Sequence, residues 1–307
     1  MSNLVKFIFI FLSFISSSLA NDKILITVNQ YVNHIALDAA YDGLMESLKT
    51  RKIIPNRAEL VTSNAQGNIS NSVQISKHHA SLSPDFMIAI ATPAAQTNLK
   101  AKNKNSKLAF VAVTDPSAAN LVGVDNVIGV SDNPPIAELV DVVRKIFPDL
   151  KTVGIISNSG EINSVKMSEK LETILASFDI KVKKASIANS SDVKTAMNKL
   201  VSSVDLIYLP QDNSVVSALD NIASIAKANK IPLIANDPTL VQRGVFVALG
   251  SNYFKSGKQL GNMIADLIEG VDIKENIQST KIRELKINEN LAKEFSIKIP
   301  DNLGERK

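Results

Sequence analysis

Short apolar runs rich in β-branched residues alternate with longer amphipathic stretches along nearly the whole chain. The runs are Ile24–Val28, Phe86–Ile90, Leu108–Val113, Thr152–Ile156, Leu206–Leu209, Ile231–Ile234 and Gly244–Leu249. Between them, residues Ala36–Leu48, Asn71–Ser81, Pro93–Lys100, Ile136–Phe147, Ser164–Ser177, Ser191–Val201, Asn213–Ala228 and Ser256–Glu269 carry apolar positions at helical spacing. A strand that is apolar at every position has both faces covered. Strand–helix alternation of this kind therefore predicts parallel sheets with helices on both sides.

The alternation runs twice. A first series ends near Val130, and a second begins with the helical stretch at Ile136 and the strand at Thr152. Asn133-Pro134-Pro135 lies between them, and prolines end regular structure and stiffen a link. The fold class predicted is α/β: two doubly wound parallel-sheet lobes joined by hinge crossovers. Lobe 1 takes residues 23–133 plus about 251–280, lobe 2 takes residues 134–250, and residues 281–307 form a strand/helix tail returning across the hinge. The length of 307 residues suits two units of ordinary size.

Residues 1–20, MSNLVKFIFIFLSFISSSLA, hold one charge (Lys6), an apolar run Phe7–Ile15 and small residues ending in Ser18-Leu19-Ala20. This is the pattern of a cleavable secretory signal, with cleavage expected after Ala20. The alternative, a membrane anchor, needs about 20 apolar residues. The product expected is a periplasmic protein that is not lipid-anchored.

Composition removes several function classes. The chain has no Cys, so a disulfide, a thiolate metal site and a catalytic thiol are impossible. Three His give little material for a His-rich metal site, and no metal or other cofactor is expected. A formal charge of +4 without a basic cluster gives no basis for nucleic-acid binding. Phosphate-binding glycine loops and the Gly-x-Ser-x-Gly elbow are missing. No catalytic residues are assigned, and turnover chemistry is not expected. His78 and His79 are adjacent and read as surface residues, and Lys181–Lys184 reads as a solvated turn.

In open α/β sheets, ligands bind beyond the carboxyl ends of the strands. Here those ends are polar. The candidates for ligand contact are Gln30 and His34, Asn64 and Gln66, Thr92 with Ala94 and Ala95, Thr114 and Asp115, Asn163 and Ser164, Asp212 and Asn213, and Asn236 and Asp237. Each is also a plausible helix cap, since Ser, Thr, Asp and Asn occupy such positions everywhere. Their recurrence in both halves is what points to a cleft. A helix start at Thr92 with the amides of Ala94 and Ala95 would cradle a carboxylate. Asp115, Asp212 or Asp237 would pair with an ammonium group. Tyr31 is one ring available for stacking on a sugar, and there is no Trp.

Several strings resemble the bacterial ABC-transporter substrate-binding proteins that include the tryptophan- and tyrosine-binding lipoproteins. They are Asn29-Gln30-Tyr31-Val32-Asn33-His34-Ile35-Ala36-Leu37-Asp38-Ala39, Asn64-Ala65-Gln66-Gly67, Ile90-Ala91-Thr92-Pro93-Ala94-Ala95-Gln96, Val113-Thr114-Asp115-Pro116, Gly129-Val130-Ser131-Asp132, Glu161-Ile162-Asn163-Ser164, Pro210-Gln211-Asp212-Asn213-Ser214 and Asn236-Asp237. The ending Ile297-Lys298-Ile299-Pro300 is similar too. The resemblance implies a type I periplasmic-binding fold closing on a small molecule, an amino acid and aromatic by preference, and delivering it as a monomer to an inner-membrane permease. Many members of the family carry Glu where Asn33 stands and an anchoring Cys that this chain lacks. A sensory receptor of the same fold, and a cleft enzyme, are the alternatives.

Overall fold

A computed structural model describes residues 23–280, 282–301 and 303. Residues 1–20, expected to be a secretory signal, lie outside the described residues. The first series comprises β1 (Ile24–Gln30), α1 (Ile35–Thr50), β2 (Ala58–Asn64), α2 (Ile69–Ser81), β3 (Phe86–Ile90), α3 (Thr92–Ala101), β4 (Lys107–Val113) and β5 (Val127–Ser131). The second comprises α4 (Ile136–Ile146), β6 (Thr152–Asn158), α5 (Ile162–Ala176), β7 (Lys181–Ile187), α6 (Val193–Val201), β8 (Leu206–Leu209), α7 (Asn213–Ser217), α8 (Leu219–Ala228), β9 (Leu233–Ala235) and β10 (Val247–Ser251). The chain ends with α9 (Tyr253–Ile268), β11 (Ile277–Ser279), β12 (Arg283–Ile287) and α10 (Glu289–Phe295).

Each series builds one sheet. The first has the order β11-β5-β4-β3-β1-β2, every pair parallel. The second has the order β12-β10-β9-β8-β6-β7, parallel except for the β10–β12 edge pair. Both cores repeat one doubly wound order, in which the first strand of the series sits between the second and the third. The strand order therefore reverses between β1 and β3, and again between β6 and β8. Those gaps are the topological switch points where open sheets bind ligands.

Alternation within the strands explains why both faces are covered. In the second sheet, Ile156, Ile207 and Leu209 join one apolar cluster with α6 and α8, while Val153, Ile155, Leu206 and Tyr208 join another with α4 and α5. The β7 strand occupies the segment read as a solvated turn. As an edge strand it needs no second apolar face, so Lys181, Lys183 and Lys184 stand in solvent. His79, read as a surface residue, is fully buried, with Nε2 3.1 Å from Ser63 Oγ. Its neighbour His78 is the exposed one. The long helical stretch at Asn213–Ala228 is broken at Ala218 into α7 and α8.

The chain crosses between sheets at Asp132–Pro135, at Ser251–Asn252 and between β11 and β12. After the second crossing, α9 packs against α1, with no room between the backbones. A Cβ on Gly43 would stand 1.9 Å from Phe254 O, and one on Gly257 would stand 1.9 Å from Ala40 O. Only glycine permits this approach. Among the described residues, no helix is long and apolar enough to cross a membrane.

Candidate functional site

The carboxyl ends of the two sheets face each other across a cleft holding roughly 430 Å3 of space outside protein atoms. Its walls come from both switch points: His34 follows β1, Ala91 and Thr92 follow β3, Asn163 follows β6, and Gln211, Asp212 and Asn213 follow β8.

On the first-lobe wall, His34 caps α1, its Nδ1 accepting from Leu37 N at 3.5 Å. Nε2 then carries the proton and meets Asn213 Oδ1 across the cleft at 3.3 Å. Burial holds the imidazole down to about 4, so the ring is neutral near neutral pH. Helix α3 starts at the cleft with no side-chain cap, behind Ala91 at φ 86° and ψ 156°. That conformation is close to a glycine-only region and costs of order 1–3 kcal/mol. A second alanine, Ala112, has φ 57° where the β4–β5 register slips between Val111 and Val113. Both strained alanines line the cleft. The slip is a β-bulge, which turns the chain after β4 so that Thr114 also lines it.

The second-lobe wall is a polar scaffold. Asp212 caps α7, Oδ1 accepting from Val215 N at 3.0 Å and Oδ2 from Asn158 N at 2.5 Å. Glu161, nearly inaccessible, accepts from Asn213 N, Ser214 N, Ser214 Oγ, Asn213 Nδ2 and Asn163 Nδ2. Burial first, then the charge of Asp212, pushes the Glu161 carboxyl up. Asn236 donates to Leu249 O and accepts from Tyr208 OH at 2.8 Å. Asp237 caps the following 3-10 turn through Oδ1, which accepts from Thr239 N and Thr239 Oγ1. Burial raises the Asp237 carboxyl to about 6.

The crossovers complete the site. Tyr253 OH donates to Asp132 Oδ2 at 2.7 Å and accepts from Gln211 Nε2 at 2.7 Å. Thr114 Oγ1 donates to Gln211 Oε1 at 3.2 Å. Ser251 Oγ donates to Asp132 O, tying two crossovers together. Burial raises the Asp132 carboxyl to about 6.

Of the residues singled out in the sequence, His34, Thr92, Thr114, Asn163, Asp212, Asn213, Asn236 and Asp237 line the cleft. The others lie elsewhere. Gln30 donates to Val32 O and Asp38 Oδ1, shaping the loop after β1. Asn64 ends β2, the edge strand beyond β1, and Gln66 follows it; Asn64 donates to Asn33 Oδ1 and accepts from Gln66 N. Ala94 and Ala95 face the first-lobe core. Asp115 caps the turn after it by accepting from Ala118 N. Ser164 is buried in the first turn of α5. Tyr31 packs in the core and donates to Gly67 O. The site also uses Asp132, Gln211 and Tyr253, which the reading of strand ends did not single out. Among the described residues, no three His, Asp or Glu are grouped to hold a metal.

Residues 25–306 match the family described as ABC transporter substrate binding protein. The chain belongs to that family. This substrate-binding protein is 30% identical over 275 residues to a tyrosine-binding protein of Clostridioides difficile, covering 87% of this chain and 79% of that one. It is similar to a Streptococcus pneumonia ABC domain solved in complex with L-Trp, with 27% identity, a TM-score of 0.84, and coverage of 91% and 97%. A ligand-free, open substrate-binding protein with adhesive properties from Clostridium difficile is 29% identical over the same shares of the chains, with a TM-score of 0.68. This substrate-binding protein is thus nearer in shape to the liganded relative than to the open one.

Proposed function

We propose that this chain captures an amino acid, with an aromatic side chain preferred, in the cleft and delivers it to an ABC permease in the inner membrane. The observation that carries the reading is the cleft itself: both switch points and two crossovers meet there, and His34–Asn213 and Thr114–Gln211 bridge the lobes. A ligand touching both walls favours the closed arrangement by its differential affinity for it. In this reading the ligand carboxylate meets Thr92 and the uncapped start of α3, and its ammonium meets Asp237. Leu37, Val216 and Leu240 form the apolar surface for the side chain.

The protein acts in the periplasm as a monomer, after removal of residues 1–20, and does no chemistry on its ligand. Asp212 and Glu161, the acids nearest α7, are engaged by backbone and side-chain donors, and His34 has partners at both nitrogens. Among the described residues, these three groups form no acid–base pair around a nucleophile. The test is a thermal-shift screen of the amino acids. A ligand at 100 times its dissociation constant adds about 2.7 kcal/mol. A selective shift with Trp, Tyr or Phe supports the aromatic class. A shift confined to other amino acids discards that class and keeps the amino-acid reading. No shift with any of them overturns the amino-acid reading.

A further inference from the structure

We infer that the cleft recognises a primary ammonium group, held by Asp132 and Asp237, and that the carboxylate of the ligand is dispensable, so that arylalkylamines belong to the same ligand class as the parent amino acids. The inference rests on the amino-acid reading above and extends it to amines.

The first ground is the charge of the walls. Asp132, Asp212 and Asp237 line the cleft, Asp212 with both oxygens taken by Val215 N and Asn158 N, and no Lys or Arg among the described residues lines it. Each acid is at least nine-tenths buried, and Asp132 helps to raise the carboxyl of Asp237. Buried carboxylates need a counter-charge or a proton. Lys286, on β12, acts on Asp237 from outside the cleft wall. Inside the cleft, the counter-charge has to come from what binds there.

The second ground is the set of unmade hydrogen bonds. Asp132 Oδ1 and Asn163 Oδ1 are buried and make no hydrogen bond of good geometry among the described residues, the Thr114 hydroxyl standing near enough to Asp132 to favour its ionised form. The two hydrogen bonds of the Asp237 carboxylate both use Oδ1, which leaves Oδ2. These are acceptors. Native proteins rarely leave buried acceptors unmet, so a ligand that brings donors satisfies them. A primary ammonium has three N–H donors and no acceptor.

The third ground is what remains for a carboxylate. The side-chain amides of Asn163, Asn213, Asn236 and Gln211 already donate to protein acceptors. His34 is neutral and gives its Nε2 proton to Asn213. The second N–H of Asn213, Asn236 and Gln211, the Thr92 hydroxyl and the start of α3 are left, none of them a full charge, and a helix N-terminus supplies about half a positive charge. Two carboxylates outweigh it, so the ammonium end dominates the electrostatics of binding.

The test is calorimetry near neutral pH with three indole compounds: L-tryptophan, tryptamine, which lacks the carboxylate, and indolepropionate, which lacks the amine. Tryptamine should bind within about tenfold of L-tryptophan, and indolepropionate should bind about 100-fold more weakly, the scale of a lost charge-assisted hydrogen bond. Indolepropionate binding as tightly as tryptamine, or more tightly, overturns the inference. Asp132→Asn keeps the shape of the side chain and should weaken L-tryptophan and tryptamine alike by about 100-fold with the melting temperature retained. Unchanged affinity in that variant also overturns it.

If no aromatic amino acid binds, the aromatic preference fails by itself. The same comparison is then read on L-leucine, isopentylamine and isocaproate. Amine tighter than acid supports the inference, acid at least as tight overturns it, and no binding in either series overturns it.

Discussion

The two walls of the cleft are built from the same strand order and do different work. The first-lobe wall is shape: two strained alanines, Leu37, a neutral imidazole and a helix start with no charged side chain. The second-lobe wall is polarity: Asn163, Gln211, Asp212, Asn213, Asn236 and Asp237, most of them already engaged with the protein. Their supports differ as well. Lobe 1 is sealed by a glycine seam between α1 and α9, whereas the cleft edge of lobe 2 is organised around a buried carboxylate, Glu161. A repeated fold thus sets where a site lies but leaves each half free to specialise.

The largest effect should come from the seam. Gly257→Val forces α1 and α9 apart and should lower stability by about 3 kcal/mol, the upper range for overpacking. Denaturant unfolding reads this directly, and a loss under about 1 kcal/mol would mean that the helices separate easily. Next is the contrast between walls. Asp237→Ala should cost about 2 kcal/mol of ligand affinity, and Thr92→Ala about 1 kcal/mol, because the first removes a charge-assisted contact and the second a neutral one. Equal losses, or the reverse order, would erase the division between shape and polarity.

The acids also predict opposite responses to pH. Asp132 faces Tyr253 and Asp237, and Asp237 faces Thr239, Asp132 and Lys286. Both carboxyls are raised to about 6 by burial. A raised acid favours its protonated form in the folded state, so the ligand-free protein should lose stability as pH climbs from about 4 to about 7. An ammonium ligand needs the ionised acids, so its affinity should rise over the same window. For one such group the slope approaches tenfold per pH unit below about 6, or about 1.4 kcal/mol. His34, near 4, titrates at the lower edge of this window. Affinity measured from pH 5 to 8 in wild type and Asp132→Asn checks this. A profile that is equally steep in both would remove Asp132 from the account.

The smallest effect should be at the protein surface. Arg51 bonds Asp266 and Glu269 and ties α1 to the end of α9 at its exposed edge. Arg51→Ala should cost under about 1 kcal/mol, since exposed ion pairs contribute little. A larger loss would shift weight from the glycine seam to charge.

Much of this arrangement was legible in the sequence, because apolar runs without alternation mark strands covered on both faces. The polar residues after β1, β3, β4, β6, β8 and β9 were legible as candidates for the same reason. Asn64 and Gln66 looked equivalent to them but lie at the end of an edge strand, and sheet order is not written in local pattern. Asp132 and Tyr253 escaped because they sit on crossovers. Their meeting depends on where the chain changes lobes, not on any strand end. His79 was misread because one apolar neighbour on a helix does not reveal which face the sheet will cover.

The seam between α1 and α9 also bears on the order in which the chain is made. Gly43 and its partner Phe254 are separated by most of the sequence. A ribosome will have finished nearly all of both sheets before the helix that covers the first lobe emerges. Until then the Ala40–Ser47 face of α1 is without its cover, and such late long-range closure is slow and exposes apolar surface. A chain halted after Ser251 would lack α9 and the edge strands β11 and β12 and so complete neither lobe, making it a substrate for a holding chaperone.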